Sequence, residues 1–141
     1  MSITLDHVSR AVDGIPTIRD VSLTLERGTL SVLLGPTLAG KTSIMRMIGC
    51  TSPITDGTLE VMGMNPAVHG PQIRARLGVV PQQDTLDTEL PVRENLAIYG
   101  RYFGLSRAEV GRRADELLEF AQLTERANDQ VEPLSGGMKR R

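Results

Sequence analysis

The sequence predicts an α/β fold with an antiparallel β part first, then a buried strand that leads through a glycine-rich loop into a helix, and a helical part last. Three observations support this prediction. Apolar and polar residues alternate near the N-terminus, a continuous apolar run ends at Gly35, and apolar residues recur at helical spacing from Val92 onward. The change of pattern places a boundary between two parts, residues 1–82 and residues 83–141.

Two segments of the first part alternate as half-buried strands do, namely residues 3–8 and residues 21–25. Asp13 and Gly14 lie between them and form a typical turn pair. Because a short turn connects antiparallel strands, we expect these segments to form an antiparallel sheet. Residues 58–61 predict a further short strand.

The middle of the first part contains two continuous apolar runs, residues 30–34 and residues 77–80. Such runs are typical of strands that are buried on both faces of a parallel sheet. After Gly40 the pattern becomes helical, with an apolar side composed of Ile44, Met45, Met47 and Ile48.

The second part has the spacing of helices. Val92, Leu96 and Tyr99 share one helical face, and Gly104 is a typical stop. Ser106 with Glu109 three residues later forms the pattern of a capping box. The next helix is predicted to bury one face made of Val110, Ala114, Leu117, Leu118 and Ala121.

Composition excludes several classes of function. Hydrophobic residues make up 40% of the 141 residues, and the net charge of −1 offers no broad basic surface for nucleic acid. The single cysteine, Cys50, excludes an internal disulfide and a cysteine-based metal site. No apolar run approaches the roughly 20 residues of a membrane helix, so work at a membrane requires a partner chain.

A glycine-rich loop predicts a nucleotide site. Eight consecutive residues match the phosphate-loop pattern G-x-x-x-x-G-K-[ST], namely Gly35, Pro36, Thr37, Leu38, Ala39, Gly40, Lys41 and Thr42, and Ser43 follows them. A loop between a strand and a helix start directs backbone N–H groups at one point, where an anion binds. Lys41 is placed to reach the β- and γ-phosphates, and the hydroxyl of Thr42 to bind Mg²⁺.

Three later segments, taken with this loop, resemble the ATPase subunit of ABC transporters. Val80, Pro81 and Gln82 resemble the Q-loop of that family, and residues 92–96 resemble the start of its helical subdomain. Leu134, Ser135, Gly136 and Gly137 resemble its signature motif. The resemblance implies a P-loop NTPase (RecA-like) core with an N-terminal antiparallel β subdomain and an α-helical subdomain.

The resemblance also implies cofactors, partners and roles. ATP and Mg²⁺ would bind at the loop, with Gln82 as a γ-phosphate and Mg²⁺ sensor beside the catalytic Lys41. Ser135, Gly136 and Gly137 would contact the ATP of a second ABC ATPase subunit in a head-to-tail dimer. A membrane-spanning transporter subunit would hold the protein at the cytoplasmic face of the cell membrane. Val12 occupies the position of the adenine-stacking aromatic residue of the family.

Two departures from the family pattern lead to further expectations. The Asp-Glu strand end and the His-bearing loop of the family are absent from residues 1–141, so we expect an incomplete domain that does not turn ATP over alone. Leu38 stands where most members have Gly, and the loop resembles carbohydrate-importer ATPases, whereas the middle and end resemble drug or lipo-oligosaccharide exporters. A mosaic with a seam within residues 45–53 is one hypothesis for this difference.

Three functions remain open from the sequence. The leading prediction is an ATP-binding subunit that powers transport, with export favoured by the middle of the chain. The alternatives are an ABC protein that does not act in transport and a nucleotide-binding module without hydrolysis. The transported substrate is left open, because in transporters of this family the membrane subunit selects it.

Overall fold

The computed structural model of the protein describes residues 2–81 and 85–139. The chain divides into two compact units, Met1–Val79 and Val80–Arg141. Gln82, where the sequence pattern placed the boundary, lies outside the described residues.

The first unit contains a three-stranded antiparallel sheet made of β1 (Ile3–Val12), β2 (Ile15–Leu25) and β3 (Asp56–Val61). The strand order is β2-β1-β3, and β1 pairs antiparallel with both neighbours. Asp13 and Gly14 both have positive φ, 51° and 77°, as a two-residue hairpin turn requires. The predicted antiparallel sheet is therefore confirmed.

Two helices, α1 (Lys41–Ile48) and α2 (Pro66–Arg74), contribute to the core of this unit. Asn65 caps α2 by accepting a hydrogen bond from the backbone N–H of Ala67 at 2.8 Å. The buried core residues of sheet and helices are Leu5, Val8, Ile18, Ile44, Met47, Ile48, Leu59, Val61 and Ile73. Met45, predicted on the apolar side of α1, is exposed, because helical geometry turns it away from the face shared by Ile44, Met47 and Ile48.

The two continuous apolar runs do not form strands. Residues 30–34 and 77–80 have no regular secondary structure, and Leu30 and Leu34 are 94% and 85% exposed. The prediction of buried strands there is wrong for this structure. A parallel strand needs neighbours on its edges and cover on its faces, and no strand among residues 2–81 and 85–139 pairs with either run.

The second unit is helical, with α3 (Val92–Tyr102), α4 (Arg107–Phe120), a 3₁₀ turn (Thr124–Arg126) and α5 (Gly136–Lys139). Its core is formed by Val92, Leu118, Leu123, Ala127, Val131 and Leu134. No helix of the described residues is both long enough and apolar enough to cross a bilayer.

The helix ends of the second unit follow the sequence signals. Ser106 Oγ accepts a hydrogen bond from the backbone N–H of Glu109 at 3.3 Å, which confirms the predicted cap of α4. Gly104, with φ of 73°, follows the end of α3. Leu117, predicted on the buried face of α4, is half exposed, because Ala114 and Leu118 already occupy the part of the helix that faces α3 and the core.

Candidate functional site

The phosphate loop (residues 35–43) follows the exposed run 30–34 and includes the first three residues of helix α1 in the first unit, Lys41 to Ser43. Ile44, Met47 and Ile48 anchor α1 in the core of the sheet. The end of the loop is therefore fixed by packing, while residues 35–39 are exposed to solvent. This arrangement presents a helix start on a rigid support, as an anion site requires.

Gly40 holds the junction between loop and helix. It is the N-cap of α1 with φ of 86°, in the left-handed region that favours glycine. A Cβ placed on it would lie 2.2 Å from Ile18 Cδ1 and 2.9 Å from the carbonyl oxygen of Thr17. Any other residue would therefore have to move the first turn of α1 away from β2.

Lys41 folds back across the loop. Its Nζ donates hydrogen bonds to the carbonyl oxygens of Gly35 at 2.7 Å and Pro36 at 2.6 Å. Both acceptors are neutral, and no carboxylate of the described residues forms an ion pair with this ammonium group. The loop thus brings an uncompensated positive charge next to its own backbone.

The start of α1 is open to an anion. Gly40 makes no side-chain cap, and the first turn of the helix contains no acidic residue. The first N–H groups of a helix have no partner within the helix, and the helix dipole adds partial positive charge there. Together with Lys41 they suit a phosphate chain.

A magnesium ion bound with such a phosphate chain would find the exposed hydroxyl of Thr42 beside the helix start. Ser43 follows as a half-buried hydroxyl in the same turn. The described residues contain no cluster of three or more His, Cys, Asp or Glu side chains suited to a metal. An exposed hydroxyl beside an anion site is chemically compatible with a phosphate-bound Mg²⁺, and the role of Thr42 as its ligand remains a prediction.

Leu38 has an unusual backbone conformation for its residue type. Its φ is 67°, and its side chain is 96% exposed. A left-handed conformation costs an L-residue with a Cβ roughly 1–2 kcal/mol relative to the right-handed one. The loop therefore keeps a bulky apolar residue at a position where glycine would be unstrained.

The signature segment (residues 134–137) belongs to the second unit. Leu134 is buried in the core, and its backbone N–H donates to the carbonyl oxygen of Val131 at 3.1 Å. Ser135 is exposed, and its Oγ accepts from the backbone N–H of Met138 at 3.3 Å. A Cβ on Gly136 would meet no atom within 4 Å. The segment therefore presents an open surface on a buried anchor.

The other predicted site residues lie apart from the phosphate loop in the sequence, and the structure describes only some of them. Val12 ends β1, is exposed, and pairs with Ile15 across the hairpin. Gln82 lies outside the described residues. Gly35 to Gly40 lie in the loop and Lys41 to Ser43 in the first turn of α1, whereas Ser135, Gly136 and Gly137 lie in the other compact unit. Their roles toward a nucleotide remain predictions.

Asn95 is a residue whose importance the sequence analysis missed. It is 4% exposed, and its side-chain Oδ1 accepts from the backbone N–H of Asp87 at 2.8 Å. Its Nδ2 donates to the carbonyl oxygens of Asp87, Leu90 and Pro91 at 2.9, 3.3 and 3.2 Å. One signal was available, because Asn95 is three positions after Val92 and so shares its buried helical face.

Comparisons with known proteins agree with this geometry. A family model described as ABC transporter matches residues 18–141. Nod factor export ATP-binding protein I of Cupriavidus pinatubonensis (strain JMP 134 / LMG 1197) is 51% identical over 140 residues, which are 99% of this chain and 43% of that protein. The protein of the same name from Rhizobium leguminosarum bv. viciae is 46% identical over 142 residues, 100% of this chain and 45% of that protein.

Two solved structures have the same fold. One, described as the ATP-binding subunit of an ABC transporter, superposes with a TM-score of 0.86 at 26% identity, over 99% of this chain and 58% of that chain. The other is a dimeric ATP-binding cassette in a post-hydrolysis state with ADP and Pi, with a TM-score of 0.82 at 26% identity, over 97% of this chain and 65% of that chain.

The fold and the glycine-rich loop define a P-loop ATP-binding domain. The chain belongs to the ABC transporter family, whose members are nucleotide-binding ATPases. It spans less than half the length of the curated relatives described above. One relative matches 99% of the chain and so covers both sides of the seam within residues 45–53, which leaves the mosaic hypothesis without support.

Proposed function

We propose that the protein binds MgATP at residues 35–43 and uses it, as an ATPase subunit, to drive transport across a membrane. The observation that supports this most strongly is the uncapped start of α1 beside the ammonium group of Lys41. The two curated relatives are both named as export ATP-binding proteins, which favours export as the direction.

In the proposed state, Lys41 exchanges its two backbone carbonyl acceptors for phosphate oxygens. The exchange is favourable because phosphate oxygens carry negative charge and attract the ammonium group more strongly than the neutral carbonyl oxygens of Gly35 and Pro36 do. Thr42 would hold the magnesium ion, Gly40 would keep the helix start in place, and Gln82 would sense the γ-phosphate. In ATP hydrolysis both the bond that breaks and the leaving group are parts of ATP. Bound Mg²⁺ would stabilise the negative charge of the phosphates.

The proposal includes partners. The signature segment of a second ATPase subunit would lie over the phosphate loop of this chain. The signature segment of this chain would lie over the phosphate loop of the second subunit in the same way. Two ATP molecules would thus join a head-to-tail pair. The dimeric state of one structural relative supports a paired arrangement. A membrane-spanning subunit would convert the closing and opening of the pair into transport and hold the pair at the cytoplasmic face.

The 141 residues by themselves are proposed to bind ATP without turnover. Phosphoryl transfer needs a residue that positions the attacking water, and the Asp-Glu and His segments that supply this in the resembling family are absent from residues 1–141. A steady-state assay of phosphate release from the 141 residues tests this point, and turnover above 1 per minute would contradict it (an order-of-magnitude threshold, roughly a hundredfold below ordinary enzymes).

Calorimetric titration of MgATP into the purified chain tests the binding site. In Lys41→Ala the dissociation constant is expected to rise about 10- to 100-fold, because a charged hydrogen-bond donor to phosphate is lost, worth roughly 1.5–3 kcal/mol. Lys139→Ala removes the same charge from α5 and is the matched control, expected to bind MgATP as the unaltered chain does. Equal affinities of Lys41→Ala and Lys139→Ala would contradict the proposal.

A further inference from the structure

The hairpin of β1 and β2 contains three register shifts, of which the first two compensate each other. Residues on one face of a strand normally lie two positions apart. In β1, however, the core-facing residues Leu5 and Val8 are three positions apart, and so are Ile18 and Val21 in β2. The first shift inserts one extra residue in β1 and the second inserts one in β2, so the two strands come back into step.

The residues with a left-handed backbone at these two bulges are His7 in β1 and Asp20 in β2, with φ of 50° and 49°. Their side chains are joined, because His7 Nδ1 lies 2.5 Å from Asp20 Oδ1. A serine of the opposite strand also ties each bulge: the N–H of His7 donates to Ser22 Oγ at 2.9 Å, and the N–H of Asp20 donates to Ser9 Oγ at 3.0 Å. Among the described residues no other two non-glycine residues with positive φ share a side-chain hydrogen bond.

Two carboxylates lie near the His7 ring. The hydrogen bond to Asp20, the negative charge of Asp20 and then that of Asp6, whose Oδ1 is 3.9 Å from Nε2, raise the pKa of His7 above its ordinary value of 6.5. The other charged residues beside this point of the sheet are Arg19 of β2 and Asp56 of β3. Neither forms an ion pair with His7 within the described residues, and Asp56 accepts a hydrogen bond from its own strand.

Strand β2 also supports the start of α1. Ile18 lies two residues before Asp20, and its Cδ1 and the carbonyl oxygen of Thr17 are the atoms that a Cβ on Gly40 would meet. A change of register by one residue turns a side chain to the opposite face of the sheet. The bulge at Asp20 therefore decides that Ile18 faces the core, where α1 packs on it.

We propose that His7 and Asp20 form a pH-sensitive clasp that fixes the register of the hairpin and, through Ile18, the position of the start of α1. Below pH 6.5 the ring is positive, and the clasp is an ion pair with a charge-assisted hydrogen bond. As the pH rises through the raised pKa of His7, the ring becomes neutral and this contribution to stability is lost. The clasp itself is independent of the nucleotide site, whereas its effect on MgATP binding rests on the proposed function.

NMR titration of the imidazole ring tests the clasp. The chain has two histidines, so all variants carry His69→Asn, which removes the exposed second ring. The titration midpoint of His7 is expected to lie above 6.5 and to fall in Asp20→Asn, which tolerates positive φ but lacks the charge. Asp13→Asn is the matched control, because Asp13 also has positive φ, 51°, in the same hairpin but is not an ion-pair partner of His7. A midpoint that is the same in Asp20→Asn and Asp13→Asn would overturn the inference.

Calorimetric titration of MgATP at about pH 6 and about pH 9, on either side of the histidine range, tests the link to α1. At the lower pH the dissociation constant of Asp20→Asn is expected to exceed that of Asp13→Asn about two- to fivefold, the size expected for an exposed ion pair. At the higher pH the two should agree within about 1.5-fold, since His7 is then neutral. Equal constants at both pH values would overturn the link to α1. Absence of MgATP binding in the unaltered chain would overturn the proposed function and this link, whereas the NMR titration would still decide the clasp.

Discussion

Gly40→Ala is expected to abolish measurable MgATP binding and to destabilise the first unit by about 2–4 kcal/mol. The new Cβ would lie 2.2 Å from Ile18 Cδ1 and 2.9 Å from the carbonyl oxygen of Thr17. The Ile18 side chain can rotate, but the Thr17 carbonyl belongs to the backbone of β2 between the paired residues Pro16 and Ile18, and it cannot move far without disturbing the sheet. The first turn of α1 therefore has to shift, and its N–H groups shift with it.

Gly28→Ala is the matched control for this substitution. Gly28 also has a positive φ, 77°, but a Cβ there would meet no atom within 4 Å. The control therefore carries the backbone strain of about 1–2 kcal/mol without the clash. Urea denaturation gives the two free energies of unfolding, and calorimetry gives the two affinities. If both variants lose equal stability and both bind MgATP normally, the tight contact between α1 and β2 does not exist in the protein.

Asn95→Ala is expected to destabilise the second unit by about 2–4 kcal/mol, because a buried side chain is removed and the partly buried backbone groups that bond to it lose their side-chain partner. The N–H of Asp87 and the carbonyl oxygens of Asp87, Leu90 and Pro91 all bond to Asn95. These groups lie in the segment that precedes α3. We expect that segment to detach from α3, because the Asn95 side chain holds it there by both accepting and donating hydrogen bonds.

Asn128→Ala provides the comparison, because Asn128 is exposed and the same substitution there should change stability by less than about 0.5 kcal/mol. Hydrogen exchange adds a local readout. In Asn95→Ala the amide of Asp87 should lose its protection while the amides of α4 change less. A stability loss for Asn95→Ala no greater than for Asn128→Ala would mean that the buried network is not formed.

The sequence predicted those features that depend on local pattern. Alternation of apolar and polar residues gave the strands β1 and β2, since one face of that sheet packs on α1 and the other is solvated. The cap at Ser106 and the stop at Gly104 follow from backbone chemistry within one turn. The phosphate loop could be located because its spacing reflects the same local geometry.

Other features depend on contacts that no short pattern records. Residues 30–34 have the composition of a strand buried on both faces, yet composition does not say which segments would supply the neighbours, and the described residues provide none. Helix α2 escaped prediction because Pro71 lies inside it and His69 has non-helical dihedral angles. The role of Asn95 depends on how residues 87–91 fold back onto α3.

We propose that this chain carries both surfaces of an ATP-joined pair, the phosphate loop and the signature segment. Mixing two single variants tests it most directly. Lys41→Ala weakens the nucleotide site and leaves Ser135 intact, whereas Ser135→Phe blocks the open signature surface and leaves Lys41 intact. Sedimentation velocity with MgATP at a concentration that saturates the unaltered chain measures association of each variant alone and of the equimolar mixture.

Each variant alone is predicted to stay monomeric. In a pair of two identical variant chains, both contacts between a phosphate loop and a signature segment would lack one intact surface. The mixture is predicted to associate. A mixed pair contains one contact in which both surfaces are intact, the phosphate loop of Ser135→Phe and the signature segment of Lys41→Ala. Dimers of Ser135→Phe alone that match the unaltered chain, or a mixture that associates no better than its separate components, would contradict the account.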